Sequence, residues 1–222
     1  MPISAVLFDL DGTLLDRRAT FRHHLELQIA RHPALFRGAD AKAYVSQLLA
    51  LDENGTLDRP AFYRLAEDRF GLAPGSSAVL RADFKTHFPE RCFPMRDIVP
   101  TLASLRARGL KLGVVTNGSV RTQTRKIDGL GIRSYLDCIV ISEAIGFHKP
   151  DARIFEAALQ RLGAQASEGV FVGDNPLVDI EGAKRAALRA VWKRDDFWPP
   201  PDVADLIIAE VCELPDRLGA FD

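Results

Sequence analysis

The stretch VLFDLDGTLLD, near the start of the 222-residue chain, drives an apolar run into two aspartates, Asp9 and Asp11, and then turns on Gly12. Aspartate is depleted in strands, and two carboxylates so close repel each other, so the pair calls for a cation or for acid–base chemistry. Three further polar clusters follow apolar runs in the same way. TNG (Thr116, Asn117, Gly118) follows KLGVV, HKPD (His148 to Asp151) comes just after CIVISEA, and GDNPLVD (Gly173 to Asp179) follows GVFV. Each cluster alone has an ordinary reading. DGT is a common turn, a strand-terminal Asp is often a helix cap, and a lone Lys before Pro is usually a solvated charge. Their order along one chain is what raises them above that.

The elements that must carry these clusters alternate. Ala5 to Phe8 is a short continuous apolar run, as in a strand buried on both faces of a parallel sheet. From Asp97 onward, helical spacing and strands take turns. IVPTLASLRARG is predicted helical, KLGVVTNG a strand, SVRTQTRKIDGLG a helix, CIVISEA a strand, and DARIFEAALQRLG a helix closed by Gly163. GVFVGDNP repeats the strand-into-turn pattern, LVDIEGAKRAA is predicted helical, and AVWK and LIIAE are two more strands. Such alternation with short connections predicts an α/β, Rossmann-like, doubly wound parallel sheet, with ligands beyond the carboxyl ends of its strands. Residues from 17 to 92 break the rhythm. They hold helix-like stretches (ATFRHHLELQIARH, AKAYVSQLLALDE, PAFYRLAEDRF) and no convincing strand, and read as an all-helical insertion after the first strand. The expected division is therefore 1–16 with 93–222 as the core and 17–92 as a helical cap.

Composition narrows the function. The chain has 29 Lys+Arg against 30 Asp+Glu, a net charge of -1, which leaves no electrostatic footprint for nucleic acid. No apolar run approaches a membrane span, and Asp9 and Asp11 interrupt the only signal-like stretch. Cys92, Cys138 and Cys212 are odd in number and contain no C-x-x-C pair, which points to a reducing compartment. A cytoplasmic protein, monomer or homodimer, is expected. Cys138 and Cys212 read as core residues, and Trp192, Phe197 and Trp198 as packing, edge covering or a dimer contact.

In this order the four clusters resemble the motifs of the haloacid dehalogenase-like hydrolases, in particular the phosphatase branch with a helical cap after the first strand. The matches are Asp-x-Asp-Gly-Thr, a Thr after an apolar strand, a Lys before Pro, and Gly-Asp with a second Asp five residues on. The resemblance implies phosphoryl transfer through an aspartyl-phosphate, with Mg²⁺ as cofactor and a small phosphorylated metabolite as substrate. It makes Asp9 the nucleophile and Asp9, Asp174 and the backbone carbonyl of Asp11 the metal ligands, with Asp179 in support. Lys149, the Thr116 hydroxyl and the Asn117 and Gly118 amides would hold the phosphate. Asp11 suits a general acid/base, because the first displacement needs a proton donor and the second a base. Arg17, Arg18, His23 and His24 fall where such caps begin and would either contact substrate or simply start a surface helix. LDENGTLDR does not fit an EF-hand and reads as an inter-helix turn. A phosphomutase of the same family is the nearest rival. A metal-free 2-haloacid dehalogenase is less favoured, because that branch lacks the aspartate matching Asp11. A non-catalytic binding module with the same fold is the rival from another class.

Overall fold

A six-stranded sheet in the order β3-β2-β1-β4-β5-β6, with every neighbouring pair parallel, organises the first of two units. The computed structural model describes residues 2–37 and 40–221. It divides into Met1–Asp16 with Phe93–Asp222, and Arg17–Cys92. In the first unit the strands are β1 (Ala5–Phe8), β2 (Lys111–Thr116), β3 (Cys138–Ile141), β4 (Gly169–Gly173), β5 (Arg189–Lys193) and β6 (Leu206–Ile208). Its helices are α5 (Ile98–Ala107), α6 (Val120–Gly129), α7 (Ser142–Ile145), α8 (Ala152–Leu162), α9 (Gly182–Arg185) and α10 (Leu214–Arg217). The chain works outward from β1 to β3, then crosses back to place β4 on the other side of β1. The crevice at such a reversal is where open α/β sheets bind ligands.

β1 is buried along its whole length, which is why AVLF alternates with nothing polar. Leu7, Val115 and Phe171 face α8, whose apolar stripe Ile154, Phe155, Ala158, Leu159 and Leu162 recurs at three- and four-residue spacing. The Phe155 and Phe171 rings meet edge to face, 4.9 Å apart. Burying each such Leu or Phe contributes about 1.5–3 kcal/mol. Asp151 caps α8 through the amide of Arg153, and Gly163 ends it in the left-handed conformation.

Three local differences from the sequence reading have physical causes. CIVISEA is a strand only to Ile141. Ser142–Ile145 turns helical, as Ser142 is buried and its Oγ accepts the Gly118 amide, while Glu143 accepts that of Val120. The first half of LVDIEGAKRAA is a wide turn, Pro176–Glu181, in which the Ile180 amide reaches back five residues to the Asn175 carbonyl at 3.3 Å. Cys212 is half-buried rather than core, because Val211 takes the inward position of that short turn; Cys138 is buried as expected.

Among its described residues the second unit has four α-helices: α1 (Arg17–Arg31), α2 (Ala41–Leu51), α3 (Arg59–Arg69) and α4 (Ser76–His87). Three correspond to the helix-like stretches of the sequence. α4 is a fourth, whose sequence SSAVLRADFKTH carries a weak apolar pattern. Phe21, Leu25, Tyr44, Leu48, Phe62, Tyr63 and Leu80 form its core. LDENGTLDR is an inter-helix turn, with Glu53, Asn54 and Gly55 all at positive φ. A buried polar network centres on Asp83, which accepts from Arg31 at 2.7 and 2.8 Å, from Gln28 at 3.0 Å, and lies 3.1 Å from His32. No helix among the described residues is long and apolar enough to cross a membrane.

His24 sits inside this second core, against Phe84 and Phe88 with ring centroids 5.2 and 5.4 Å away. Burial pushes its imidazole down to about 3, although Asp83 opposes the shift; Arg31, Arg59 and His87 reinforce it. The unfolded chain therefore binds a proton that the folded one refuses, and stability falls as pH drops from about 6.5 toward 3. His24→Phe should flatten that part of the stability–pH curve, as read by chemical denaturation between pH 7 and 4. An unchanged slope would remove His24 as its source.

Candidate active site

The first strand delivers its carboxylate by continuing the ladder one residue further. The Asp9 amide donates to Val172 O at 2.9 Å, so Asp9 leaves the sheet beside the end of β4. Leu10 is buried, and its carbonyl accepts the Leu14 and Leu15 amides, closing the turn that carries Asp11. Gly12 sits in that turn at φ +89, and a Cβ there would lie 2.6 Å from Asp174 Oδ2. The glycine of DGT thus answers both to the backbone and to the carboxylate from β4. Gly12→Ala should cost about 2–4 kcal/mol, a left-handed penalty plus overpacking. Denaturant unfolding measures it, and a loss under about 1 kcal/mol would mean the turn relaxes away from Asp174.

β4 ends in Asp174, whose backbone carbonyl accepts Trp192 Nε1 at 2.7 Å. The wide turn then brings Asp179 back against the strand end. The Asp179 amide donates to Asn175 O, the Asn175 amide to Asp179 Oδ2, and a Cβ on Gly173 would lie 2.4 Å from that of Asp179. Glycine is the residue that lets the second aspartate in.

Lys149 arrives in the loop after α7. Its Nζ donates to Asp9 Oδ1 at 2.5 Å and to Asp179 Oδ1 at 2.7 Å, and all three side chains are buried. Asn117 pins that loop from the end of β2: its Nδ2 donates to Lys149 O at 3.0 Å and its Oδ1 accepts the Lys149 amide at 2.9 Å. The Gly118 amide, expected to cradle a phosphate oxygen, donates to Ser142 Oγ at 3.0 Å instead, because α7 starts there rather than the strand continuing. Thr116 is buried and its Oγ1 accepts Gln123 Nε2 at 2.5 Å.

One buried ammonium therefore faces three buried carboxylates. Burial pushes Asp9 up to about 7; Lys149 opposes the shift, and Asp179 and Asp11 add to it. Asp174 is raised by burial and by Asp179 and Asp9. Burial works against the charge on Lys149, but Asp179 and Asp9 together outweigh it and hold the ammonium above its usual value. Asp9, Asp174 and Asp179 each offer an oxygen within 4.8 Å of the others. Hard oxygen donors, close together and short of positive charge, fit a divalent cation such as Mg²⁺.

Asp9, Asp11, Thr116, Asn117, Gly118, Lys149, Asp174 and Asp179 all lie at or just beyond the carboxyl ends of β1 to β4. Arg17, Arg18 and His23 belong to the helical unit. There Arg17 is engaged by the Asp52 carboxylate, Arg18 is exposed, His23 is half-buried, and His24 serves the core as described. Three polar groups around the site had no role in the sequence reading: Gln123, Lys126 and Ser142. Trp192, read there as packing, edge covering or a dimer contact, also bonds the Asp174 carbonyl through its indole. Gln123 and Lys126 stand three apart on one helix, in line with Ile127, and that stripe was their one signal.

The model of the haloacid dehalogenase-like hydrolases matches residues 3–187, spanning every strand-end cluster. The chain belongs to that family. It is 34% identical to glyceraldehyde 3-phosphate phosphatase of Methanopyrus kandleri over 230 residues, covering 96% of each chain. It is 32% identical to pyrimidine 5'-nucleotidase YjjG of Escherichia coli, covering 84% of each. Among solved structures it resembles a HAD phosphatase from Thermococcus onnurineus, with 28% identity, a TM-score of 0.69, and 98% and 99% of the two chains covered. These relatives of the haloacid dehalogenase-like chain are, by name, phosphoric monoester hydrolases.

Proposed function

We propose that the chain is a Mg²⁺-dependent phosphatase that hydrolyses a small phosphorylated metabolite through an aspartyl-phosphate on Asp9, in the cytoplasm. The observation that carries this reading is the Asp9 carboxylate, fixed by Lys149 beside Asp174 and Asp179 where the sheet reverses. The phosphatases among its relatives support it. Asp9 attacks phosphorus, the ester P–O bond breaks, and Asp11 passes a proton to the departing oxygen. Asp11 then takes a proton from water, which attacks phosphorus and frees Asp9 and inorganic phosphate. Lys149 and the Thr116 hydroxyl hold the equatorial oxygens, where charge is spread as the phosphoryl group moves. Mg²⁺, held by Asp9, Asp174 and the Asp11 carbonyl with Asp179 in support, would supply the positive charge that lets a phosphate dianion approach a carboxylate. Asp11 favours ester hydrolysis over carbon–halogen cleavage, which requires no acid for its leaving group.

The test is a panel of phosphate monoesters, including an aryl phosphate, triose phosphates and pyrimidine nucleotides, assayed with Mg²⁺ and with excess chelator. Hydrolysis should require Mg²⁺, and Ca²⁺ should restore it poorly because its looser coordination misplaces the nucleophile. Added Mg²⁺ should also raise the melting temperature, since a ligand that binds only the folded state stabilises it. Full activity in chelator would overturn the metal assignment, and absence of hydrolysis across the panel the phosphatase itself.

A further inference from the structure

The inward face of α6 is polar where a helix packed beside a sheet is ordinarily apolar. Gln123, Lys126 and Ile127 are its buried residues, and Lys126 is only 6% exposed. A lysine is almost never buried that far unless it is paired. Its Nζ lies 2.7 Å from both Oδ1 and Oδ2 of Asp11 and 2.9 Å from Oε1 of Gln123. Gln123 Nε2 in turn donates to Asp11 Oδ2 at 3.0 Å and to Thr116 Oγ1 at 2.5 Å. One amide group therefore joins a carboxyl from the turn after β1 to a hydroxyl from the end of β2. With its oxygen accepting that N–H, the Thr116 hydroxyl keeps its own hydrogen to donate elsewhere. Packing does not account for the pair: two apolar side chains would fill the same space without desolvating an ammonium.

We propose that Lys126 and Gln123 are positioning residues for phosphoryl transfer: Lys126 holds the Asp11 carboxyl by both oxygens, and Gln123 fixes that carboxyl against the Thr116 hydroxyl. The proposal deepens the phosphatase reading and rests on it. Lys126 acts through Asp11 by aiming it. One of the two Nζ contacts opens when that carboxyl carries its proton. Losing Lys126 lets the carboxyl turn away from the leaving group, which slows proton transfer and leaves substrate binding alone. An alkyl ester, whose leaving alkoxide is strongly basic, feels that loss; an aryl ester, leaving as a stable phenolate, largely does not. Gln123 reaches Thr116 as well, so Gln123→Leu should slow both.

The experiment is single-turnover release of the alcohol from an alkyl and an aryl phosphate by Lys126→Met, in the otherwise native chain and in the Asp11→Asn background. In the native background the alkyl rate should fall about 10–100-fold, the loss typical of a misplaced catalytic group, and the aryl rate by less than about 3-fold. The half-saturating substrate concentration should stay within about 3-fold. In the Asp11→Asn background Lys126→Met should add less than about 2-fold, because residues acting as one unit are not additive. Equal losses on both esters, a full independent loss in the Asp11→Asn background, or an effect carried by substrate affinity would each overturn the proposal. If circular dichroism shows Lys126→Met unfolded, Lys126→Gln enters the same cycle with the same expectations. With a wild-type chain active on both esters, the outcome depends on this pair of residues alone; a wild-type chain active on neither removes the phosphatase reading and this proposal with it.

Discussion

Replacing Asp9 by Asn should lower turnover of any phosphate monoester by at least about 10³-fold, on the order of the losses seen when a covalent nucleophile is removed. An amide oxygen is a poor nucleophile toward phosphorus and a weaker ligand for a hard cation. The fold should survive, because Asn has the same size and can still accept from Lys149 Nζ, which lies 2.5 Å from Asp9 Oδ1. One carboxylate fewer also relieves the repulsion that Asp179 and Asp11 exert at this position. Steady-state assay on an aryl phosphate, with circular dichroism as the control for folding, reads both halves. Turnover near that of the wild type would contradict the assignment of Asp9.

Lys149→Met is expected to damage stability as well as activity. The ammonium is buried between Asp9 and Asp179, and removing it leaves two buried carboxylates facing each other without a counter-charge. Breaking a buried pair in this way typically costs about 3–5 kcal/mol. In a chain of this size that corresponds to a fall in melting temperature on the order of 10 °C. The Lys149–Asp9 and Lys149–Asp179 contacts form a single coupled unit, so an Asp179→Asn change made on top of Lys149→Met should recover part of the loss. Calorimetry on the single and double variants measures this, and a single variant as stable as the wild type would mean that water reaches the carboxylates and screens them.

Much of the core architecture was legible because its strands are buried on both faces. AVLF, LGVV, CIVI and VFV are continuous apolar runs that stop where the sheet stops, so each abrupt polar residue marks a strand end. That rule put Asp9, Thr116 and Asp174 each at a strand end, and their meeting in one site was implied by the resemblance to the haloacid dehalogenase-like motifs. What escaped were side chains whose partners lie far away in sequence. Lys126 and Gln123 sit in VRTQTRKIDG, where a Gln and a Lys look like a solvated helix face, yet their partner Asp11 is more than a hundred residues earlier. The bond made by Gly118 escaped too, because Ser142, 24 residues later, takes its amide. Arg17 and His24 were ambiguous for the same reason, since Asp52 and the Phe84–Phe88 pair that receive them come from other helices.

The central claim is that Asp9 becomes phosphorylated during turnover, and direct trapping tests it. The Asp11→Asn variant should make the intermediate from an aryl phosphate, which requires no acid for its leaving group, and then fail to hydrolyse it for want of a base. Acid quench during this reaction, digestion and mass spectrometry should find one phosphoryl group on the peptide that contains Asp9, and borohydride should convert that aspartate to homoserine. Turnover of the aryl phosphate with Asp9 unmodified, or with the phosphoryl group on another residue, would contradict the account.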